Sequence, residues 1–374
     1  MSLWLSVYLD LIRVAAALVV FFDHVGQGNA ASGLTSHAYE FAQDAVLVFF
    51  VLSGFVIGHS VDTSHDDLRK FVIKRVARIY SVAVPALFLT IGLDAIRQSW
   101  HAGASAFLFN LFNRHVAVEI ISGLLFTTEF WSWHFEIGSN GAYWSLGYEI
   151  WYYAAFAALY FGRRIWGIIL ASGLMLMTGP QVALFFLIWL IGLGSYYASA
   201  KIHIGKIQAI ALILFSSTAA LLLAISARRM MSIYGAFGLS DVNVKSYVFY
   251  GLLATLFSVN IIAIAEIGKY LTPLPLGLVK FVRHLGNQTF PLYLMHMPVL
   301  AFITPLLPWK STSWQTQVTV SILIPGLIFP VGYFLEHRKA RWRQLVERFA
   351  EWLGWLSQTN ITPTDSTEQQ QPSK

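Results

Sequence analysis

Apolar residues gather along this chain into ten windows that approach or reach the roughly 17 to 25 residues needed to cross a bilayer as a helix. They fall at 7–26, 44–60, 79–96, 146–161, 165–178, 182–198, 207–225, 247–265, 289–307 and 318–335. The fourth and fifth are the shortest, joined only by a Gly162-Arg163-Arg164 turn. The expected fold class is therefore all-α, a polytopic membrane protein with about ten transmembrane helices.

Basic residues set the orientation. With a cytoplasmic N-terminus, the inner connections collect 17 Lys and Arg against 6 in the outer ones. That asymmetry is a positive-inside signature and predicts that both termini are cytoplasmic. One outer connection, 97–143, is long and carries Trp100, Phe107, Phe109, Phe112, Phe126, Trp131, Trp133 and Phe135. A loop of that size with apolar content of its own is expected to pack as interfacial or re-entrant helices. Its aromatics suit an interfacial belt or stacking on a sugar.

Beyond the last window, Trp342, Leu345, Val346, Phe349, Trp352 and Leu356 recur at helical spacing opposite Arg341, Arg343 and Arg348. Such a stretch is expected to lie along the inner membrane surface. The chain thus divides into a membrane domain at 1–337, a basic amphipathic helix at 338–357 and a disordered tail at 358–374 rich in Thr, Gln, Pro and Ser.

Composition narrows the function classes. The chain of 374 residues is 56% hydrophobic and 12% charged, far from the quarter-charged surface of a soluble domain. With no cysteine, thiolate nucleophiles, disulfides and cysteine metal sites drop out. The net charge of +6 is spread over loops between spans, as topology demands, so no nucleic-acid partner is inferred. A cleavable signal peptide ending near GNAASG fails on charge, since no Lys or Arg precedes Asp10 and Arg13 interrupts the apolar run.

Five segments carry candidate chemistry. In the first window Arg13 and His24 stand eleven residues apart, which is about three turns plus 20° and about 16.5 Å along one helix face. Ionisable groups at such depth mark a functional site by default, although Arg13 snorkelling to the interface is the alternative. In the second, Ser53 and Gly54 remove bulk mid-helix, for close helix packing or for a thin ligand. At the foot of the third, Lys74, Arg75 and Arg78 cluster within about one turn, either as topogenic charge or as a phosphate dock. In the fourth, Glu149 follows Trp144 and Ser145 by about one turn, and a buried carboxylate needs a partner such as His24 or Arg13. The ninth bears Tyr293 and His296 between the helix-breaking Pro291 and Pro298. His296 reads as a satisfied core residue or as part of a cavity. No metal-ligand spacing and no phosphate-binding glycine loop stands out.

In this order the segments resemble the acyltransferase 3 family of integral-membrane acyltransferases over roughly residues 5 to 335. Arg13 and His24 match its arginine, ten residues, histidine pattern. Phe49, Phe50, Leu52, Ser53, Gly54 and Phe55 match its FFxLSGF segment, and Lys74, Arg75, Arg78 and Ile79 its KRxxRI foot. Trp144, Ser145, Leu146 and Glu149 are similar to its WSLxxE segment, and 289–298 to its SYxLYLWHxP segment. Ser81, Thr289, Met295 and Ile150 depart from the pattern. The SGNH hydrolase-like domain of some members is not part of the pattern here.

The resemblance implies an acyl-CoA-dependent O-acyltransferase of a bacterial cytoplasmic (inner) membrane. Its donor would be acyl-CoA, with acetyl-CoA supplying the family's commonest cargo. The acceptor would be a hydroxyl of a cell-surface glycan or glycolipid on the outer side, handled among membrane lipids and without metal. His24 would act as general base, oriented by Asp23 or Glu149, or as an acyl carrier. Arg13 would steady the donor or an oxyanion. Lys74, Arg75, Arg78 and Ser53 would hold the donor, and Trp144, Tyr293 and His296 the acceptor. A single slot along the face shared by Arg13 and His24 would take the pantetheine arm. The competing classes are a flippase of lipid-linked saccharides, for which matching interrupted halves are absent, and a membrane sensor that binds acyl-CoA without consuming it.

Overall fold

The computed structural model describes residues 1–26, 41–102, 114–131, 133, 135–236, 244–352 and 354. Twelve α-helices account for most of them: α1 Leu3–Gly26, α2 Ala42–Ser64, α3 Leu68–Ala102, α4 Arg114–Leu125, α5 Trp144–Phe161, α6 Arg164–Thr178, α7 Pro180–Lys201, α8 Lys206–Ala236, α9 Val244–Ile267, α10 Leu276–Ile303, α11 Trp314–His337 and α12 Lys339–Trp352. The chain is an all-α, multi-pass membrane protein.

Eight of these helices are long and apolar enough to cross a membrane, two fewer than the number of apolar windows. The fourth window became α5, whose 18 residues include Trp144, Ser145, Glu149 and four tyrosines. The fifth became α6, whose 15 residues rise only about 22 Å, short of a core about 30 Å thick. Helices also outrun their windows. α3 starts at Leu68 and α10 at Leu276, because backbone hydrogen bonding does not stop where hydrocarbon does.

Within the long connection, α4 is too short to span, and Phe107, Phe109 and Phe112 lie outside the described residues. So do Leu356 and the tail at 358–374. α12 packs on α3 and α11, burying Ala350 while Leu345, Phe349 and Trp352 stay exposed.

α1 occupies the middle of the bundle, in contact with α2, α9, α10 and α11. The backbones of α2 and α7 come closest. A Cβ on Gly54 would stand 2.1 Å from the Trp189 carbonyl oxygen, and one on Gly192 would stand 2.1 Å from that of Val51. Paired small residues of this kind let membrane helices approach until dispersion replaces the missing hydrophobic drive. Gly54 is thus a packing residue, whereas its neighbour Ser53 faces a cavity.

The second constraint lies in α10. Pro298 has no N–H, so the carbonyl of Leu294, one turn back, loses its helical partner. Asn140 fills that vacancy: its Nδ2 donates to Leu294 O at 2.9 Å and to Thr90 Oγ1 on α3 at 3.1 Å. The turn around Asn140 is closed by a bridge between Ile137 and Asn140 and by Gly138 at φ +50, where a Cβ would strike Asp94. Asp94 Oδ2 in turn accepts the Ser139 N–H at 2.7 Å. A proline in one helix thereby anchors a loop between two others.

Gly54→Ala is expected to destabilise the purified protein by about 3 kcal/mol, the upper end for overpacking, as a lower melting temperature in detergent. Gly251→Ala, in α9 with open space around it, is expected to melt at or above the wild-type temperature.

Candidate active site

Two cavities with no lining residue in common lie at the two ends of the Arg13 to His24 stretch. The first, about 90 Å³, is lined by Arg13, Arg75 and Arg78, by Ser53, Glu149, Tyr153 and Tyr293, and by an apolar wall that includes Val46, Phe49 and Phe50. Arg75 is only 8% exposed. Its Nη2 donates to Ser60 Oγ at 2.5 Å, and its guanidinium stands over the Phe71 and Tyr153 rings at 5.5 and 6.0 Å. Arg78 is exposed at the mouth. Arg13 pairs with Asp10 at 3.0 Å.

Glu149 accepts from Ser53 Oγ at 2.8 Å and, over a shorter contact, from the Tyr153 hydroxyl. Trp189 Nε1 donates to the same Ser53 Oγ at 3.2 Å. With Arg13 and Arg75 as its electrostatic neighbours, the carboxylate is both hydrogen-bonded and charge-balanced. That is what makes a buried charge tolerable. Three guanidiniums against one carboxylate leave this cavity positive.

Lys74 does not line it. Its ammonium is held by Asp66 at 2.6 Å. Burial works to raise the Asp66 carboxyl, yet hydrogen bonds from Lys74 and Ser64 hold it below the usual carboxylate range. The donor role expected for Lys74 is therefore corrected: proximity in sequence placed it on the foot of α3, but its helix face turns it toward the α2–α3 loop. Lys339 at the start of α12 stands nearer the mouth. Burial lowers its ammonium below the ordinary lysine range, the Glu336 carboxylate opposes that, and Arg78 and Arg13 add to it.

The second cavity, about 250 Å³, is lined on its polar side by His24, Ser139, Thr316 and Gln317 and on its apolar side by Met297, Leu300 and Val320. His24 Nδ1 lies 2.8 Å from His296 Nε2, and His296 Nδ1 lies 2.9 Å from the Leu292 carbonyl oxygen. A carbonyl only accepts, so His296 Nδ1 carries the proton and its Nε2, in a neutral ring, is an acceptor. His24 Nδ1 must then donate, which leaves His24 Nε2 as the unprotonated nitrogen, its lone pair without a hydrogen bond among the described residues. The direction of the chain of bonds follows from its last acceptor.

His296 is fully buried, sandwiched near Phe21 and Tyr293, whereas the His24 side chain is 16% exposed. Only His24 can meet a ligand. Its other neighbour, Asp23 Oδ2, is 3.9 Å from Nε2, too far for a hydrogen bond.

Gln317 is the unusual member. It is 2% exposed and neither its amide oxygen nor its amide nitrogen has a hydrogen-bond partner among the described residues. Ser139 Oγ is likewise buried and unpartnered. Leaving such groups unpaired costs about 1–3 kcal/mol each. A third cavity of about 200 Å³, between Glu129, Glu136, Asn140 and Trp144, lies beside the second at Gly141, where an added Cβ would stand 3.3 Å from Glu136 Oε1 and 3.2 Å from Met297 Cε.

Several expectations change. Arg13 and His24 line different cavities: Arg13 faces the cationic one, whose wall includes Phe49 packed edge-on against Tyr293, and His24 the other. Glu149 belongs with the arginines and makes no contact that orients His24. His296 is the group that does so, and it is a partner of His24 instead of a residue facing the acceptor. Tyr293 lines the cationic cavity with its hydroxyl donating to Ser145 at 2.9 Å, and Trp144 lines the third cavity. Tyr153, Ser139, Asn140 and Gln317 were not singled out from the sequence. Gln317 sat one residue before the tenth window, so its burial was invisible to a hydropathy count.

A family model described as an acyltransferase domain matches residues 6–337. The chain belongs to the acyltransferase 3 family, and is a membrane acyltransferase. No curated protein and no solved structure matches it.

If His296 fixes the His24 tautomer, His296→Ala is expected to lower turnover on the order of 10²-fold, and His296→Gln, which restores an acceptor, to recover part of it. Unchanged melting temperatures with this rate pattern would separate orientation from folding.

Proposed function

We propose that the protein transfers an acyl group from acyl-CoA to a hydroxyl of a glycan or related acceptor across the membrane plane, with His24 as general base. The observation that carries this reading is the free lone pair at His24 Nε2, set by the His24 to His296 to Leu292 chain, at the edge of a cavity distinct from the one that holds three arginines. The positive-inside rule favours a cytoplasmic arginine cavity and an outer His24 cavity. This supports a bacterial inner-membrane enzyme.

Guanidiniums match phosphate oxygens bidentately, so Arg75 and Arg78 at the inner mouth suit the nucleotide phosphates of CoA. The narrow apolar bore beyond them suits a pantetheine arm, with the thioester arriving beside Tyr293. There Arg13 lies deepest among the cations and can answer charge developing on the thioester oxygen.

In the reaction, His24 Nε2 accepts the proton of the acceptor hydroxyl as that oxygen bonds to the thioester carbon. The C–S bond then breaks, and the imidazolium returns its proton to the leaving CoA thiolate. Acceptor ester and CoA thiol are the products, and His24 is neutral again. His296 steadies the imidazolium through its Nε2. Acetyl is the simplest cargo for a bore this small. The family membership displaces the flippase and sensor readings, since neither requires a chemical step.

The test is CoA thiol release in proteoliposomes, where the absence of cysteine from the chain leaves no protein thiol to react with the reagent. His24→Ala is expected to lose about 10²- to 10⁴-fold in kcat, and wild-type turnover in that variant would overturn the base assignment. Arg78→Ala is expected to raise the acyl-CoA KM about tenfold, the worth of one charge-assisted hydrogen bond, while Lys74→Ala stays within about twofold.

A further inference from the structure

We infer that Gln317, assisted by Ser139, is a specificity site that reads a second polar group adjoining the acylated hydroxyl, so that the acceptor is a polyol ring and not an isolated alcohol. The inference rests on the assignment of the His24 cavity to the acceptor.

Three facts carry it. Gln317 is 2% exposed and lines the same cavity as His24. Both heteroatoms of its amide are without a partner among the described residues, as is Ser139 Oγ on the opposite loop. Thr316 Oγ1, beside it in sequence, donates to Lys310 O at 2.9 Å, and Thr304 and Ser311 complete the polar lining, so among the described residues the buried unpaired groups on this wall are those of Gln317 and Ser139.

A primary amide offers one strong acceptor and two donors side by side. A hydroxyl, which donates and accepts, or an acetamido group complements it fully, whereas a C–H edge complements none of it. Met297, Leu300 and Val320 across the cavity present the opposite chemistry, an apolar wall for the C–H face of a ring. His24 Nε2 takes the reacting hydroxyl, and Gln317 takes its neighbour. Sites built around buried polar groups reject ligands that leave those groups bare far more strongly than apolar pockets reject a missing methylene.

Ser139 is held there independently of any ligand. Its N–H is fixed by Asp94 and the next residue is tied to Leu294, so its hydroxyl is presented on a rigid loop.

The experiment compares methyl α-glucopyranoside with cyclohexanol, a ring of the same size bearing one hydroxyl, as acceptors of acetyl-CoA in proteoliposomes, alongside the melting shift each produces. Wild type is expected to favour the glucoside in kcat/KM by 10²-fold or more. In Gln317→Leu that ratio is expected to collapse by about 30-fold or more, and in Ser139→Ala by about 3- to 10-fold, with the glucoside-induced melting shift reduced in the same order.

Equal ratios in wild type and Gln317→Leu would overturn the inference. So would glucoside and cyclohexanol stabilising wild type alike, a readout that needs no turnover and remains valid if glucose is a poor substrate. Failure of the acyl-transfer reading looks different: no thiol release with either acceptor, whatever stands at 317. Should Gln317→Leu fail to fold, Ser139→Ala decides, because its backbone anchors are untouched.

Discussion

Everything at the centre of this molecule is organised by one hydrogen bond between imidazoles 272 residues apart in sequence. It joins α1 to α10, the helix pair that also closes around the middle of the bundle. Its polarity is imposed from outside the pair, since the Leu292 carbonyl can only accept. α10 holds His296 rigidly because the kink at Pro298 is not a loose end: the carbonyl it frees is taken by Asn140, and Asn140 is itself bound to α3. The lone pair on His24 is therefore the last consequence of a network that begins at a proline.

Charge and unpaired polarity are sorted to opposite sides of that bond. On one side three guanidiniums gather around one hydrogen-bonded carboxylate, and a net positive charge remains. On the other side the cavity wall carries an imidazole, a carboxamide and a hydroxyl, with the Asp23 carboxylate 3.9 Å from His24 Nε2, and part of the bonding capacity of the amide and hydroxyl is left open among the described residues. The first arrangement suits a permanently anionic ligand. The second suits a neutral one that brings its own donors and acceptors.

Much of the fold was legible from hydropathy alone, because a bilayer of fixed thickness forces apolar length and helical structure to coincide. α1, α2, α7 and α9 lie within a few residues of their windows. α5, too, lies within two residues of its window, although the polar groups it carries keep it out of the set long and apolar enough to cross a membrane; legibility ended where a helix ran beyond the hydrocarbon, as in α3 and α10. For the site, helical spacing placed Arg13 and His24 along one stripe, yet spacing does not say what stands between them. The sequence offered His24 or Arg13 as a partner for Glu149 and His296 as a core or acceptor residue; Arg13 is the electrostatic neighbour of Glu149, and contact across 272 positions made His296 the partner of His24. Gln317 was hidden for another reason. Near the end of an apolar run, a glutamine looks like an interface residue, and only the packing of α11 against the His24 end of the bundle buries it.

The aromatic side chains around the two cavities, Phe49 and Tyr293 on the wall of the first and Phe21 against His296, bear on bioenergetics. A continuous polar passage holding arginines, a carboxylate and histidines would be a route for protons down the electric field of an energised membrane, where each charge moved is worth about 2.3 kcal/mol per 100 mV. A wall of aromatic rings offers protons no such relay, and the membrane's charge separation survives the presence of both sites.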